Sequence, residues 1–335
     1  MQRVSNMRTE DVTSSLPQAR EASWQRFGKQ ITFCVPGMFQ MDGVSGRTQA
    51  ISITGDRCAL QCDHCRGRIL SSMVMAATPD GLVEQCLRLA ARGNQGVLVS
   101  GGCDSEGRLP WNRFAQAIRE VKNRTDLWVS VHSGLVDQET ALILKEAGVD
   151  QALIDVVGDD ETFREICHVD FGVSKIASSL EVLCKACLPV VPHIVCGLHL
   201  GRIRGERKAL SMIRSFDVEQ VVICSLMRLP GTPACGWPLP EPEAVAEIIA
   251  EARIALPASS LSLGCARQRG SRRLEILAIE AGVNRMALPS EEAVEHARRS
   301  GLEIRYQATC CSVPAVSADA GFRTAPLEGF LERTA

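Results

Sequence analysis

The sequence predicts a (β/α) barrel of the TIM type rather than an open sheet. Three observations carry this expectation. Short β-branched runs alternate with helix-like segments about eight times over. Several of the helical segments end in Gly, the usual C-terminal stop. Cysteines recur just after the strand-like runs, where such a barrel gathers its functional loops on one rim.

The strand-like runs are AISIT (50–54), GVLVS (96–100), LWVSV (127–131), QALIDVV (151–157), LPVVPHIV (188–195), QVVICSL (220–226), SLSLG (260–264) and NRMAL (284–288). Between them lie segments with helical spacing, among them PDGLVEQCLRLAARG, WNRFAQAIREVKN and EPEAVAEIIAEARI. This organisation divides the chain into an N-terminal extension over 1–47, the barrel over 48–311 and a C-terminal tail over 312–335. Residues 1–29 read as a helix laid on the barrel, and 315–335 as a loosely held end.

Composition narrows the function classes. The chain has 335 residues and 45% hydrophobic content, enough for a large core. Its formal charge is -2, so it carries no electrostatic footprint for nucleic acid or an anionic membrane surface. Aromatic content of 4%, with Tyr306 the sole tyrosine, leaves no base-stacking platform. No stretch reaches a membrane span and MQRVSNMRTEDVTSS is not a secretory signal, so a cytoplasmic location is expected. The cysteine number, 15, is odd, which favours reduced thiols and metal ligands over disulfides.

Chemistry concentrates in CALQCDHC, residues 58–65, directly after the first barrel strand. A cubane held by Cys58, Cys62 and Cys65 leaves one iron without a protein ligand, an open metal position at which chemistry occurs. The other reading is a zinc knuckle completed by His64 or a remote cysteine, although zinc sites usually present paired C-x2-C units. Later rim loops add SGGCD (100–104), CGLHLG (196–201), CSLMRLPGTP (224–233) and GCARQRG (264–270). Cys103, Cys196 and Cys265 are expected to face one another across the barrel, with Cys224, Cys310 and Cys311 in reserve. If TCCSV is extended, its adjacent cysteines point to opposite faces and at most one reaches the interior. Cys86, Cys167, Cys184 and Cys187 fall on or beside helices and read as packing residues away from the rim. Cys34 falls in the N-terminal segment, placed against the barrel mouth.

The C-x3-C-x2-C spacing on a loop after the first barrel strand resembles the radical S-adenosylmethionine (SAM) superfamily. That resemblance implies a 4Fe-4S cluster on Cys58, Cys62 and Cys65 whose open iron chelates SAM, and reductive cleavage of SAM to a 5'-deoxyadenosyl radical. It also implies SAM contacts from His64, where the superfamily commonly has an aromatic residue, from Ser100-Gly101-Gly102, from Asp155 at the ribose, and from His193 in the segment beside the adenine. Within the superfamily, LSLGCARQRGSRRLEILAIEAGVNRMAL resembles the end of the biotin synthase barrel, which makes Arg267 and Cys196 candidate second-cluster ligands. FCVPGMF, PHIVCGLHLG, LMRLPGTP, SLGCARQRG and TCCSV look more like the divergent two-protein lipoyl synthases. The function implied is sulfur insertion into an octanoyl chain on a lipoyl carrier protein or peptide. A second Fe-S cluster would give up the sulfide, with Cys103, Cys196, Cys265 and Arg267 as its candidate ligands. A second related radical SAM protein and an electron donor are the further partners implied, with no nucleic acid and no membrane. Two alternatives stay open: another radical SAM enzyme of the biotin synthase-like group acting on a small molecule, and a non-catalytic Fe-S or zinc-binding protein.

Overall fold

The computed structural model describes residues 9–314 apart from 38, 42 and 43; the expected tail beyond 314 lies outside the described residues. The chain opens with helix α1 (Thr9–Phe27) and strand β1 (Gln30–Cys34), followed by a two-strand ladder of β2 (Gln40–Met41) and β3 (Val44–Ser45). The barrel strands are β4 (Thr48–Ser52), the short β5 (Val74–Met75), β6 (Gly96–Ser100), β7 (Trp128–His132), β8 (Gln151–Asp155), β9 (Val190–Cys196), β10 (Gln220–Ser225), β11 (Ser260–Leu263), β12 (Arg285–Ala287) and β13 (Glu303–Gln307). Between them run α2 (Pro79–Ala91), α3 (Trp111–Arg124), α4 (Gln138–Glu146), α5 (Asp160–Thr162), α6 (Val173–Lys185), α7 (Glu206–Ile213), α8 (Pro242–Ala255), α9 (Arg272–Glu280) and α10 (Glu291–Arg299).

Eleven strands form one sheet in the order β13-β1-β12-β11-β10-β9-β8-β7-β6-β4-β5, with every pairing parallel. It is the expected TIM-type architecture, as a curled sheet that no β5–β13 ladder closes among the described residues. All eight strand-like runs of the sequence are strands. β1 and β13 were not among them; they extend the sheet beyond β12, and Cys34 therefore lies inside the sheet rather than in a segment laid against the mouth. The expected helix does lie on the outside, where α1 packs on α8 and α9.

Local chemistry explains the elements. Thr78, Asp137 and Ser290 accept hydrogen bonds from the backbone N–H groups three residues on and so cap α2, α4 and α10. In α3 the apolar residues Trp111, Phe114, Ile118 and Val121 recur on one face and are buried, each large side chain contributing roughly 1.5–3 kcal/mol. Strand alternation then divides the core in two. Val97, Val99, Ile154, Ile194, Val221 and Ile223 pack outward against the helices, whereas Leu153, Val191, Val222, Cys224 and Ala287 point into the barrel.

Arg267, a candidate cluster ligand by resemblance, is instead committed to the scaffold. It is 1% exposed and pairs with Glu275 at 2.6 Å. Its Nη1 donates to Gly264 O at 2.6 Å and its Nη2 to Leu288 O at 2.9 Å, while Glu275 also accepts from Ser290 N at 2.8 Å. One guanidinium thus ties the ends of β11 and β12 to α9 and to the start of α10. Glu275→Ala should lower stability by roughly 3–5 kcal/mol, because a buried cation is left unpaired. The urea midpoint measures this, and a shift no larger than that of a surface Glu→Ala variant would refute the role.

Candidate active site

The site is assembled from the loop after β4. Tight turns bring its three thiols together: Cys62 O accepts from Cys65 N at 3.1 Å and from Arg66 N at 2.8 Å, and Gln61, Arg66 and Gly67 adopt positive φ. Two neighbouring loops hold it in place. Ala59 N donates to Cys103 O at 2.7 Å, and Asp63 N donates to Ile166 O at 2.8 Å. Gly102 N donates to Thr54 Oγ1 at 2.7 Å, and a Cβ on Gly102 would collide with Arg57 O and Cys58 Cβ. The glycine pair thus has a structural task, permitting the cysteine loop to lie on the end of β6.

A cavity of about 300 Å³ opens at the C-terminal ends of β4 and β6 to β9. Cys58, Cys62, His64 and Cys65 line one wall, with Ser100, Gly101, Gly102 and Cys103 beside them. Asp155 and His193 rise from β8 and β9 on the other side. The rest is largely apolar, including Leu70, Leu135, Val157, Phe171 and Leu198. His132, at the end of β7, also lines the cavity; its ring centroid is 5.6 Å from that of His193 and its Nε2 is 3.7 Å from Asp155 Oδ1. The inward period of β7 and the paired register of β7, β8 and β9 are the signals that would have found it.

The structure corrects four expectations about cysteines. Cys103, expected to face Cys196 and Cys265, lies instead with Cys58 and Cys62. Cys196, at an outward position of β9, packs in the outer core near Glu206 and faces neither the cavity nor Cys103. Cys265 instead neighbours Cys224, Cys310 and Cys311, with Cys34 close to the last two. Both Cys310 and Cys311 reach this group because their segment is a turn, with Val313 N donating to Cys310 O at 3.0 Å, so the alternation of a strand does not apply. Cys167, expected to be a packing residue away from the rim, lines the cavity, with its sulfur within 4.8 Å of that of Cys62. On the surface, Arg204 pairs with Asp159 and Glu161, and Arg207 with Glu247 and Glu251.

The donor set fits a thiophilic metal group. The interaction of its neutral S–H with Cys167 and then burial push the Cys62 thiol up, and burial pushes Cys65 up to about 12. Both need a cation beside them to become thiolate ligands. Burial lowers His64, and burial followed by repulsion from His132 lowers His193 to about 4, so neutral imidazoles face the cavity at pH 7. His64 Nδ1 is buried with no hydrogen-bond partner.

Comparison with known proteins agrees with this geometry. Residues 52–202 match the model of the radical SAM superfamily, and residues 222–323 match that of the biotin and thiamin synthesis associated domain. In fold, the chain is similar to methylornithine synthase (TM-score 0.62, 18% identity, 89% of this chain and 90% of that one). It is also similar to the FeFe-hydrogenase maturase of Carboxydothermus hydrogenoformans (TM-score 0.64, 15% identity, 90% and 74%). The chain belongs to the radical SAM superfamily, whose cofactors are a 4Fe-4S cluster and SAM.

Its sequence is 26% identical to the biotin synthase of Geobacter metallireducens, over 70% of this chain and 72% of that protein. It is 28% identical to that of Rickettsia felis, over 70% and 76%. Within the superfamily it is a member of the biotin synthase-like branch.

The depressed His193 pKa has a thermodynamic consequence. Below pH 6.5 the unfolded chain takes up this proton before the folded chain does, so stability falls as pH drops from about 6.5 to about 4 and is level above. The Tm of the wild type should therefore fall more steeply across that window than the Tm of His193→Gln. Parallel Tm profiles for the two would show that His193 is not held neutral.

Proposed function

We propose that this radical SAM enzyme inserts sulfur into an octanoyl chain carried on a lipoyl carrier protein or peptide. The observation that carries the reading is the presence of two separate thiol groups, one lining the cavity and one in the barrel interior. Cys58, Cys62 and Cys65 belong to the β4 side, while Cys224, Cys265, Cys310 and Cys311 gather on the side of β10, β11 and β13. Sulfur insertion needs a hydrogen abstractor and a sulfur donor on either side of one substrate.

Cys58, Cys62 and Cys65 would hold the 4Fe-4S cluster, and His64, Ser100, Gly101, Gly102, Asp155 and His193 would hold SAM. When bound, the cluster and SAM supply a carbon radical that takes hydrogen from an unactivated C–H bond. The apolar walls around Leu135, Phe171 and Leu198 accept an acyl chain and keep water from it. Neutral His193 faces the cavity without placing a cation beside that chain. The second thiol group would hold a further Fe-S cluster as the sulfur source. A second related radical SAM protein and an electron donor complete the proposed reaction.

A second reading, favoured by the biotin synthase relatives, is sulfur insertion into a free small molecule. Mass spectrometry separates the two. An octanoylated lipoyl-domain peptide, incubated with the chain, its candidate partner, SAM and reductant, should gain the mass of sulfur as 5'-deoxyadenosine forms. Cys62→Ala should abolish 5'-deoxyadenosine formation, at least about 100-fold, through loss of a metal ligand. Cys265→Ala should spare it and stop sulfur gain. A peptide left unmodified while a sulfur-free precursor of biotin gains sulfur would move the assignment to the second reading.

A further inference from the structure

Cys167 ends a one-turn π-helix, Phe163–Cys167, a geometry frequent at functional positions. Its sulfur, the Cys62 sulfur and one ring nitrogen of His64 all lie within 4.8 Å of one another. Two contacts fix the π-turn against this loop through the residue between Cys62 and His64: Asp63 N donates to Ile166 O at 2.8 Å, and Asp63 Oδ1 lies 3.0 Å from His168 Nε2. His168 closes the turn in the left-handed region, at φ 58°. Buried polar atoms normally find partners, yet His64 Nδ1 has none. In tetrahedral zinc sites with metal–sulfur bonds near 2.3 Å and metal–nitrogen bonds near 2.1 Å, neighbouring donors stand about 3.5–3.8 Å apart. Two sulfurs and an imidazole nitrogen held within 4.8 Å of one another need only small side-chain shifts to reach that spacing.

We propose that Cys62, His64 and Cys167 form a binding site for a thiophilic divalent cation of the zinc class, with the fourth coordination position filled from outside these three side chains. Because Cys62 is common to both sites, this ion and a cluster on Cys58, Cys62 and Cys65 exclude one another. The π-turn thereby gives the loop a second metal-bound arrangement, one that blocks cluster loading until the ion leaves.

The full-length chain, freed of metal under reducing anaerobic conditions, tests this with Co²⁺ as the probe. The wild type should bind one Co²⁺ with the intense visible bands of tetrahedral thiolate coordination, displaceable by Zn²⁺. Cys167→Ala and His64→Gln should weaken binding at least about tenfold. Cys58→Ala and Cys65→Ala should bind as the wild type does. Far-UV circular dichroism confirms the fold of each variant, and Cys167→Ser replaces Cys167→Ala if the latter unfolds. Zn²⁺ added before iron and sulfide should lower incorporated iron severalfold in the wild type but not in Cys167→Ala. Retention of the Co²⁺ bands in Cys167→Ala, their loss in Cys58→Ala or Cys65→Ala, or equal zinc inhibition of iron uptake in wild type and Cys167→Ala would each overturn the proposal.

Discussion

The constraint on which the site depends is the two-residue period of a parallel sheet covered on its outer face. Each strand spends alternate side chains on the helices and on the interior. On β8, Ile154 goes to the helices while Leu153 and Asp155 go inward. On β9 the same rule turns His193 inward and Cys196 outward. A single-residue slip of β9 would turn His193 outward against the helices and Cys196 inward. The chemistry of the rim is therefore fixed by register before any loop is considered.

Close backbone approach is the second requirement. Gly102 lets the cysteine loop rest on the end of β6, and Gly264 does a similar service elsewhere, since a Cβ there would lie 2.5 Å from Cys224 Sγ. In both places a missing side chain makes room for a thiol-bearing segment. The interior below the second thiol group is tied by polar side chains. Gln220 and Ser262 both donate to Cys311 O, and Arg285 Nη2 donates to Gln307 Oε1 at 2.8 Å. The turn carrying Cys310 and Cys311 is thus held inside the barrel by hydrogen bonds to its backbone, leaving the sulfurs uncommitted to the fold.

Much of this was legible in the sequence. Eight strands followed from β-branched runs and their spacing, and CALQCDHC with its thiol spacing stood out against the preceding strand. What escaped has physical causes. β1 is a five-residue run, QITFC, with only one β-branched apolar residue, Ile31, and its sheet position comes from distant pairing with Arg285–Ala287 and Glu303–Gln307. Cys167 was hidden because a π-turn follows no helical or strand period, so its direction cannot be read from spacing. Cys196 was misplaced because the position of a residue at the rim does not say which face it takes. Arg267 was misread because its partner, Glu275, is supplied by the following helix, and only folding shows that its donors are spent.

Desolvation keeps both thiol groups neutral unless a cation lies beside them. Cys224, Cys310 and Cys311 are pushed up by burial and by one another, as Cys62 and Cys65 are by their own surroundings. So many neighbouring buried thiols gain little as small hydrophobes that Ala or Val would not supply at lower reactivity. A bound cation would turn each neutral thiol into a charged ligand and return binding energy to the folded state. A ligand that binds only the native chain stabilises it in proportion to the logarithm of its concentration. Loading of the metal groups and completion of the rim are in that sense one equilibrium, and the loop around Cys62, packed against both β6 and the π-turn, is where that equilibrium is set.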